Sequence, residues 1–187
     1  IIGSDGITLD GNGKTLDGGS TEQCCYQYPG NYTYPTLLVL DKSNVTVKNF
    51  QFTKSYYGPL FLIDNSSNVI VVENTFAGIR GGLGILNGSS NVQVTQNTFT
   101  SGSSSIYMEN PGTGISISGN TINDVGDGFS LTQIKSNTPV TFTGNTINVG
   151  NNGRGLVVMP VPPVSSMQIG GHIINNNSFN GSGSNTI

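Results

Sequence analysis

Apolar residues return every 23 positions, and that period limits what the chain can fold into more than any other feature. Leu37, Leu60, Leu83, Ile106 and Phe129 follow one another at this step, and Val39, Leu62, Ile85, Met108 and Leu131 keep it too. A second apolar set falls later in each unit, at Val45-Thr-Val47, Val69-Ile-Val71, Val92-Gln-Val94, Ile115-Ser-Ile117, Val140-Thr-Phe142 and Met167-Gln-Ile169. A third closes it, at Phe52, Phe76, Phe99, Ile122, Ile147 and Phe179. Alternation inside the triplets is the two-residue period of a strand, and Gly, Asn and Ser between the runs favour turns. Each unit therefore reads as one coil of three short strands. A single coil cannot bury its apolar face, but coils stacked at the strand spacing build one continuous column. About seven such coils make a rod roughly 34 Å long.

The first coil runs from Ile7 to Leu16. An insertion at about 18–36, rich in Tyr and holding Cys24 and Cys25, leaves the cylinder, and a second enlargement at about 150–166 contains Pro160, Pro162 and Pro163. The whole of 1–187 reads as one domain on length. The two cysteines are sequence neighbours, with Cα atoms about 3.8 Å apart, below the usual disulfide range of about 4.4–6.8 Å. Free or unusually paired thiols in a loop, and cross-linking to another chain or to a removed segment, all stay open for them.

The repeated Asn-Val-x-Val-x-x-Asn-Thr-Phe units, as in Asn68 to Phe76 and Asn91 to Phe99, and the opening Ile7-Thr-Leu-Asp-Gly-Asn-Gly resemble the right-handed parallel β-helix of the pectate-lyase-like superfamily. The resemblance covers nearly the whole chain and implies an all-β, right-handed β-solenoid. It also implies that Asn74, Asn97, Asn120 and Asn145 form an internal asparagine ladder. The superfamily holds polysaccharide lyases, polygalacturonases, tailspikes, adhesins and non-enzymatic members, so the fold alone assigns no chemistry.

Enzymes of that superfamily work on the outer face of the first strand set. Taking Leu37 and Val39 and their 23-residue counterparts as inward, alternation turns Leu38, Leu40, Phe61, Ile63, Leu86, Tyr107, Val157 and Met159 outward. That face carries Glu109 as its one carboxylate, with no Arg, Lys or His. Glycoside hydrolysis asks for two placed carboxyl groups, and lyase chemistry for a base with charge neutralisation. A contiguous apolar strip needs a cover, supplied by the Tyr-rich insertion, a glycan or another protomer. The eight residues are thus candidates for an interface, and exposed coil ends for head-to-tail stacking.

Asn123-Asp124-Val-Gly-Asp127-Gly128 faintly resembles the aspartate motifs of polygalacturonases, which makes Asp124, Asp127 and Glu109 the candidate catalytic residues. Arg154 falls over Asp127 in the local register, and an ion pair between coils accounts for that aspartate without catalysis. His172 stands alone, so transition-metal binding has no ligand cluster. Asp41 and Asp64, 23 residues apart, offer oxygen ligands for calcium if they stack, and otherwise belong to a solvated turn ladder. No cofactor is expected.

Only 9% of the residues are charged and the formal net charge is -3, too weak a field to recruit nucleic acid or an anionic membrane. No run reaches the roughly 20 apolar residues of a membrane span, and Ile1-Ile-Gly-Ser lacks the regions of a signal peptide. Six Asn-x-Ser/Thr sequons, at Asn31, Asn44, Asn65, Asn87, Asn176 and Asn180, fit an extracellular or cell-surface glycoprotein. The expectation is an extracellular structural solenoid that self-associates, head-to-tail or laterally, into a filament, fibre or coat. The alternatives are a carbohydrate-active enzyme and a polysaccharide-binding module using the Tyr26 to Tyr34 loop.

Overall fold

The structure, a computed structural model, describes residues 1–19, 26–28, 31–33, 35–54, 59–77, 81–134, 138–160 and 171–181. The chain winds as a parallel β-solenoid with three faces. One face is a seven-stranded parallel sheet in the order β1 (Thr8–Asp10), β6 (Ser43–Lys48), β9 (Ser67–Val72), β12 (Ser90–Thr95), β14 (Ile115–Ser118), β16 (Val140–Thr143) and β18 (Ile173–Asn175). Seven coils therefore cross it. Another face opens with β5 (Leu37–Leu40), β8 (Pro59–Asp64) and β11 (Gly81–Leu86), and the last holds β2 (Thr15–Asp17), β7 (Gln51–Thr53), β10 (Thr75–Ala77) and β19 (Ser178–Gly181).

These two faces fuse in the later coils. β13 (Thr98–Glu109), β15 (Thr121–Ile134) and β17 (Thr146–Pro160) each run from the last face of one coil into the first face of the next without a break. Three short strands become two there. Residues 150–160, read from the sequence as the start of an enlargement, continue β17: the register with β15 jumps from Val149 to Arg154, which leaves 150–153 as extra residues, and pairing resumes from Arg154 to Pro160. The remainder of that segment, Cys24 and Cys25 lie outside the described residues. Within the first insertion, β3 (Tyr26–Tyr28) and β4 (Asn31–Thr33) form an antiparallel hairpin.

The interior is a set of axial columns. On the last face Phe52, Phe76 and Phe99 stack with ring centroids 4.8 and 4.7 Å apart and planes within 3° and 6°, which is the strand spacing itself. Burying each ring contributes about 1.5–3 kcal/mol. The corner between this face and the next strand has little room: a Cβ on Gly82 would lie 2.6 Å from both Phe99 Cδ1 and Ser105 O.

The turn before the last face takes a left-handed residue in successive coils, Asn49, Glu73, Gln96, Gly119, Gly144 and Asn176. The residue after it points inward, and from Asn74 onward it is asparagine. Asn74, Asn97 and Asn120 each donate backbone N–H and Nδ2–H to the Oδ1 of the next asparagine, at 2.9–3.1 Å. Asn145 does the same to Asn177. Each Nδ2 also reaches a strand carbonyl, such as Val47 O from Asn74 and Val94 O from Asn120. The buried corner is satisfied by side chains where the sheets cannot supply bonds.

At the N-terminal end, Asp10 pairs with Lys48 at 3.2 Å and Asp17 with Lys54 at 2.9 Å. Hydrogen bonds from the Asn49 amide, the Asn12 backbone and Lys48 hold the Asp10 carboxyl below its ordinary range. The Gly19 backbone and then Lys54 do so for Asp17.

Candidate functional site

The first face carries the candidate chemistry, and its register differs from a strict 23-residue step. Leu37 pairs with Phe61, Val39 with Ile63 and Leu40 with Asp64; Phe61 then pairs with Leu83 and Asp64 with Leu86. The step is 24 and then 22 residues, so one coil is displaced by a single position. A one-residue slip exchanges the two faces of a strand. Phe61 and Ile63, placed outward by the 23-residue period, point into the core, where both are fully buried beside Leu37, Val39 and Leu83. Their places on the outer face are taken by Leu62 and Asp64.

One outer row therefore reads Leu38, Leu62, Gly84, Tyr107, Ser130, Val157, and the next Leu40, Asp64, Leu86, Glu109, Thr132, Met159. Leu38, Leu62 and Leu86 are 3%, 1% and 4% exposed and form a cluster with Leu40 and Tyr107. Val157 is also buried, while the Met159 side chain lies outside the described set. Leu38, Leu62, Leu86 and Val157 are thus buried within the single chain, while Leu40 and Tyr107 are half-buried. Part of that burial is visible at Gly84, where a Cβ would meet Leu62 Cδ1 at 2.8 Å and Pro59 Cγ at 3.2 Å.

The slip also gives this face a second carboxylate that the period hid. Asp64 and Glu109 flank Leu86 in one row, two strand spacings or roughly 9.6 Å apart along the axis. Both are buried, at 1% and 9% exposure. Asn87 Nδ2 donates to Asp64 Oδ1 at 2.7 Å, and the Tyr107 hydroxyl donates to Glu109 Oε2 at 2.5 Å. The signal that would have revealed Asp64 is the uninterrupted apolar run Pro59 to Ile63, whose alternation has no unique phase.

Asp127 lies elsewhere. It pairs in register with Arg154, whose Nε and Nη2 donate to its two carboxylate oxygens at 2.9 Å each. The carboxylate holds the Arg154 guanidinium above its ordinary value through that hydrogen bond and its charge. On the neighbouring strand Asp127 stands opposite Ser104, five residues from Glu109, a separation along the strand of roughly 16 Å. Glycosidase carboxyl pairs stand about 5–9.5 Å apart, so Asp127 and Glu109 do not make one. Asp124 lies in β15 where the pairing is irregular, and its side chain is outside the described set.

Asp41 and Asp64 are not stacked equivalents. The turn ladder is Asp41, Asn65, Asn87 and Asn110, all left-handed, with φ from 44° to 53°; Asp64 belongs to the sheet beside it. Asn65 Nδ2 donates to Asp41 Oδ1 at 2.7 Å, so the ladder position next to Asp41 holds an amide and not a second carboxylate. Among the described residues no group of three or more His, Cys, Asp or Glu is placed to hold a metal ion.

Of the sequon asparagines, Asn44, Asn65, Asn176 and Asn180 are exposed and Asn87 is half-buried. Asn180 Nδ2 already donates to Asn148 Oδ1 and Ser178 Oγ. Asn31 lies in β4, its side chain outside the described set. His172 Nδ1 accepts from the Val140 backbone N–H at 3.1 Å, and burial holds the imidazole below its ordinary value. No helix among the described residues is long and apolar enough to cross a membrane.

The family model for a right-handed β-helix region matches residues 2–110 and 35–187. No curated protein and no solved structure matches the chain.

Proposed function

The chain belongs to the right-handed β-helix family, and from that premise we propose that it is a non-catalytic structural solenoid, a rod-like building block of an extracellular fibre or surface coat. The observation that carries this reading is the fate of Asp127, the best catalytic candidate of the sequence: both of its oxygens are taken by Arg154 of the adjacent coil. The axial ladders of Asn74 to Asn177 and the Phe52, Phe76, Phe99 stack add the regular cohesion a rod requires. Secretion and N-glycosylation at exposed turns such as Asn44 and Asn65 belong to the same proposal. The test combines polysaccharide cleavage assays on the purified chain with immunogold labelling of the producing cells. Label on a surface layer or fibre with no released oligosaccharide supports the reading; turnover of a polysaccharide overturns it.

A second reading, a carbohydrate-active enzyme of the hydrolase or lyase type, is favoured by one observation, the Asp64 and Glu109 row. Their strands stand roughly 9.6 Å apart along the axis, close to the about 6.5–9.5 Å that separates the carboxyl groups of inverting hydrolases. Under this reading Asp64→Asn and Glu109→Gln each abolish release of reducing ends while Asp127→Asn leaves it intact. Activity that survives both substitutions removes it.

A further inference from the structure

A second asparagine ladder runs outside the solenoid, along the entry to the seven-stranded sheet. Asn44, Asn68 and Asn91 are all exposed and all left-handed, with φ of 57°, 53° and 51°. Asn91 Nδ2 donates to Asn68 Oδ1 and Asn68 Nδ2 to Asn44 Oδ1, at 3.2 Å each. There the ladder stops, because the Asn44 Nδ2 donates to no described residue.

The stop lies between two coils of this chain. Thr46 pairs with Thr8 of β1, which sets Gly6 opposite Asn44 on the first coil, and glycine has no side chain to receive the amide. The backbone is held there all the same, with Gly6 N–H donating to Ser43 O at 3.0 Å. A Cβ added to Gly6 would meet no atom within 4 Å. Open space therefore stands in front of an unspent amide.

The sequence marks the same residue. The three entries read Asn44-Val-Thr46, Asn68-Val-Ile70 and Asn91-Val-Gln93, and only the first is an acceptor sequon. Two other sequons are of a different kind. Asn87 is half-buried, its Nδ2 stands 2.7 Å from Oδ1 of Asp64, a carboxylate 1% exposed, and the hydroxyl of its Ser89 is fully buried and donated to Leu86 O at 2.6 Å. Asn180 Nδ2 donates to both Asn148 Oδ1 and Ser178 Oγ. A sugar on either nitrogen takes space or a hydrogen that the native structure already uses.

We propose that Asn44 carries an N-linked glycan, whereas Asn87 and Asn180 are structural amides that stay bare in the native molecule. This rests on the extracellular reading above and separates its sequons by what their amides do. In the transfer the bond from Asn44 Nδ2 to the sugar C1 forms as the C1–O bond of a lipid-linked oligosaccharide diphosphate breaks; Nδ2 loses one proton and the lipid diphosphate leaves. Asn44 Oδ1 takes no part and goes on accepting from Asn68. Transfer precedes folding, and the native state then decides which glycoforms complete it.

The test secretes the full chain from cultured eukaryotic cells behind a cleaved leader and reads site occupancy in the folded, secreted protein by glycopeptide mapping. Asn44 is expected to be occupied, and Asn87 and Asn180 to be bare. Thr46→Val is expected to remove the Asn44 glycan and leave the circular dichroism spectrum unchanged. Ile70→Thr, at a half-buried position on the outer face, is the control: it writes the same Asn-Val-Thr tripeptide at Asn68, whose amide is spent on Asn44. Asn68 is expected to be occupied severalfold less than Asn44 in the secreted molecules. A bare Asn44, an occupied Asn87 or Asn180, or equal occupancy of Asn44 and Asn68 overturns the proposal. Because the leader supplies secretion, a native chain found inside its producing cells removes the extracellular reading and leaves the Asn44 result standing.

Discussion

Arg154 and Asp127 face each other across adjacent coils in a two-bond arrangement, each of two guanidinium nitrogens 2.9 Å from its own carboxylate oxygen. The arginine side chain is 56% exposed and the aspartate 20%. Exposed ion pairs are screened and contribute little to stability. Asp127→Asn is therefore expected to leave the melting temperature at high salt unchanged, with a small decrease at low salt. A large, salt-independent loss would mean that Asp127 carries structure beyond this pair.

The buried amide ladder predicts a different scale. Asn120→Ala strips the acceptor from the Asn97 N–H and Nδ2–H and the donor from Val94 O, all in a dry corner. Orphaned buried groups of this kind cost about 1–3 kcal/mol each, so a total loss of about 3 kcal/mol is expected in denaturant unfolding. Asn177→Ala, at the half-buried end, should cost visibly less.

The register of the second coil is open to a direct check. Phe61 packs with its ring centroid 5.9 Å from that of Phe52 inside the column, and Phe61→Ala is expected to cost about 3–5 kcal/mol. Thr53→Ala, a half-buried position next to Phe52, should change stability little by comparison. Similar losses at Phe61 and Thr53 would contradict the inward placement.

His172 supplies the pH dependence. Burial keeps its folded value below the ordinary value of about 6.5, so the unfolded chain takes up the proton first. Stability is then complete above about pH 6.5 and is lost as pH falls through the lower folded value. Protonation at Nδ1 also removes the acceptor of the Val140 N–H. Amide exchange at Val140 is expected to accelerate between neutral and mildly acidic pH in the wild type. His172→Ala should exchange rapidly and independently of pH in that window, apart from intrinsic chemistry; a wild-type profile that does not change would contradict the assignment.

Much of this molecule was legible without coordinates. The 23-residue return of Leu, Val, Ile and Phe required stacked coils, because no single coil of that composition closes its own core. Asn-Thr-Phe and Asn-Thr-Ile marked the inward corner, and the offset between Phe129 and Leu156 was enough to bring Arg154 over Asp127. Asn177 was missed because the enlarged preceding coil set it 32 residues beyond Asn145, outside the period.

What the period could not decide was phase. Pro59-Leu-Phe-Leu-Ile63 is apolar throughout, so alternation is satisfied equally well with Leu60 and Leu62 inward or with Phe61 and Ile63 inward. Hydrogen-bond registry with Leu37 on one side and Leu83 on the other turned Phe61 and Ile63 inward and Leu62 outward, while Leu60 at the start of the strand stays in the same core. That choice moved Asp64 onto the outer face, in the row of Glu109 with Leu86 between them, and put Leu62 into a buried cluster with Leu38 and Leu86. Local pattern determines that a strand forms and what it repeats; which side it buries is a property of the neighbours it pairs with, and only the assembled coils contain that information.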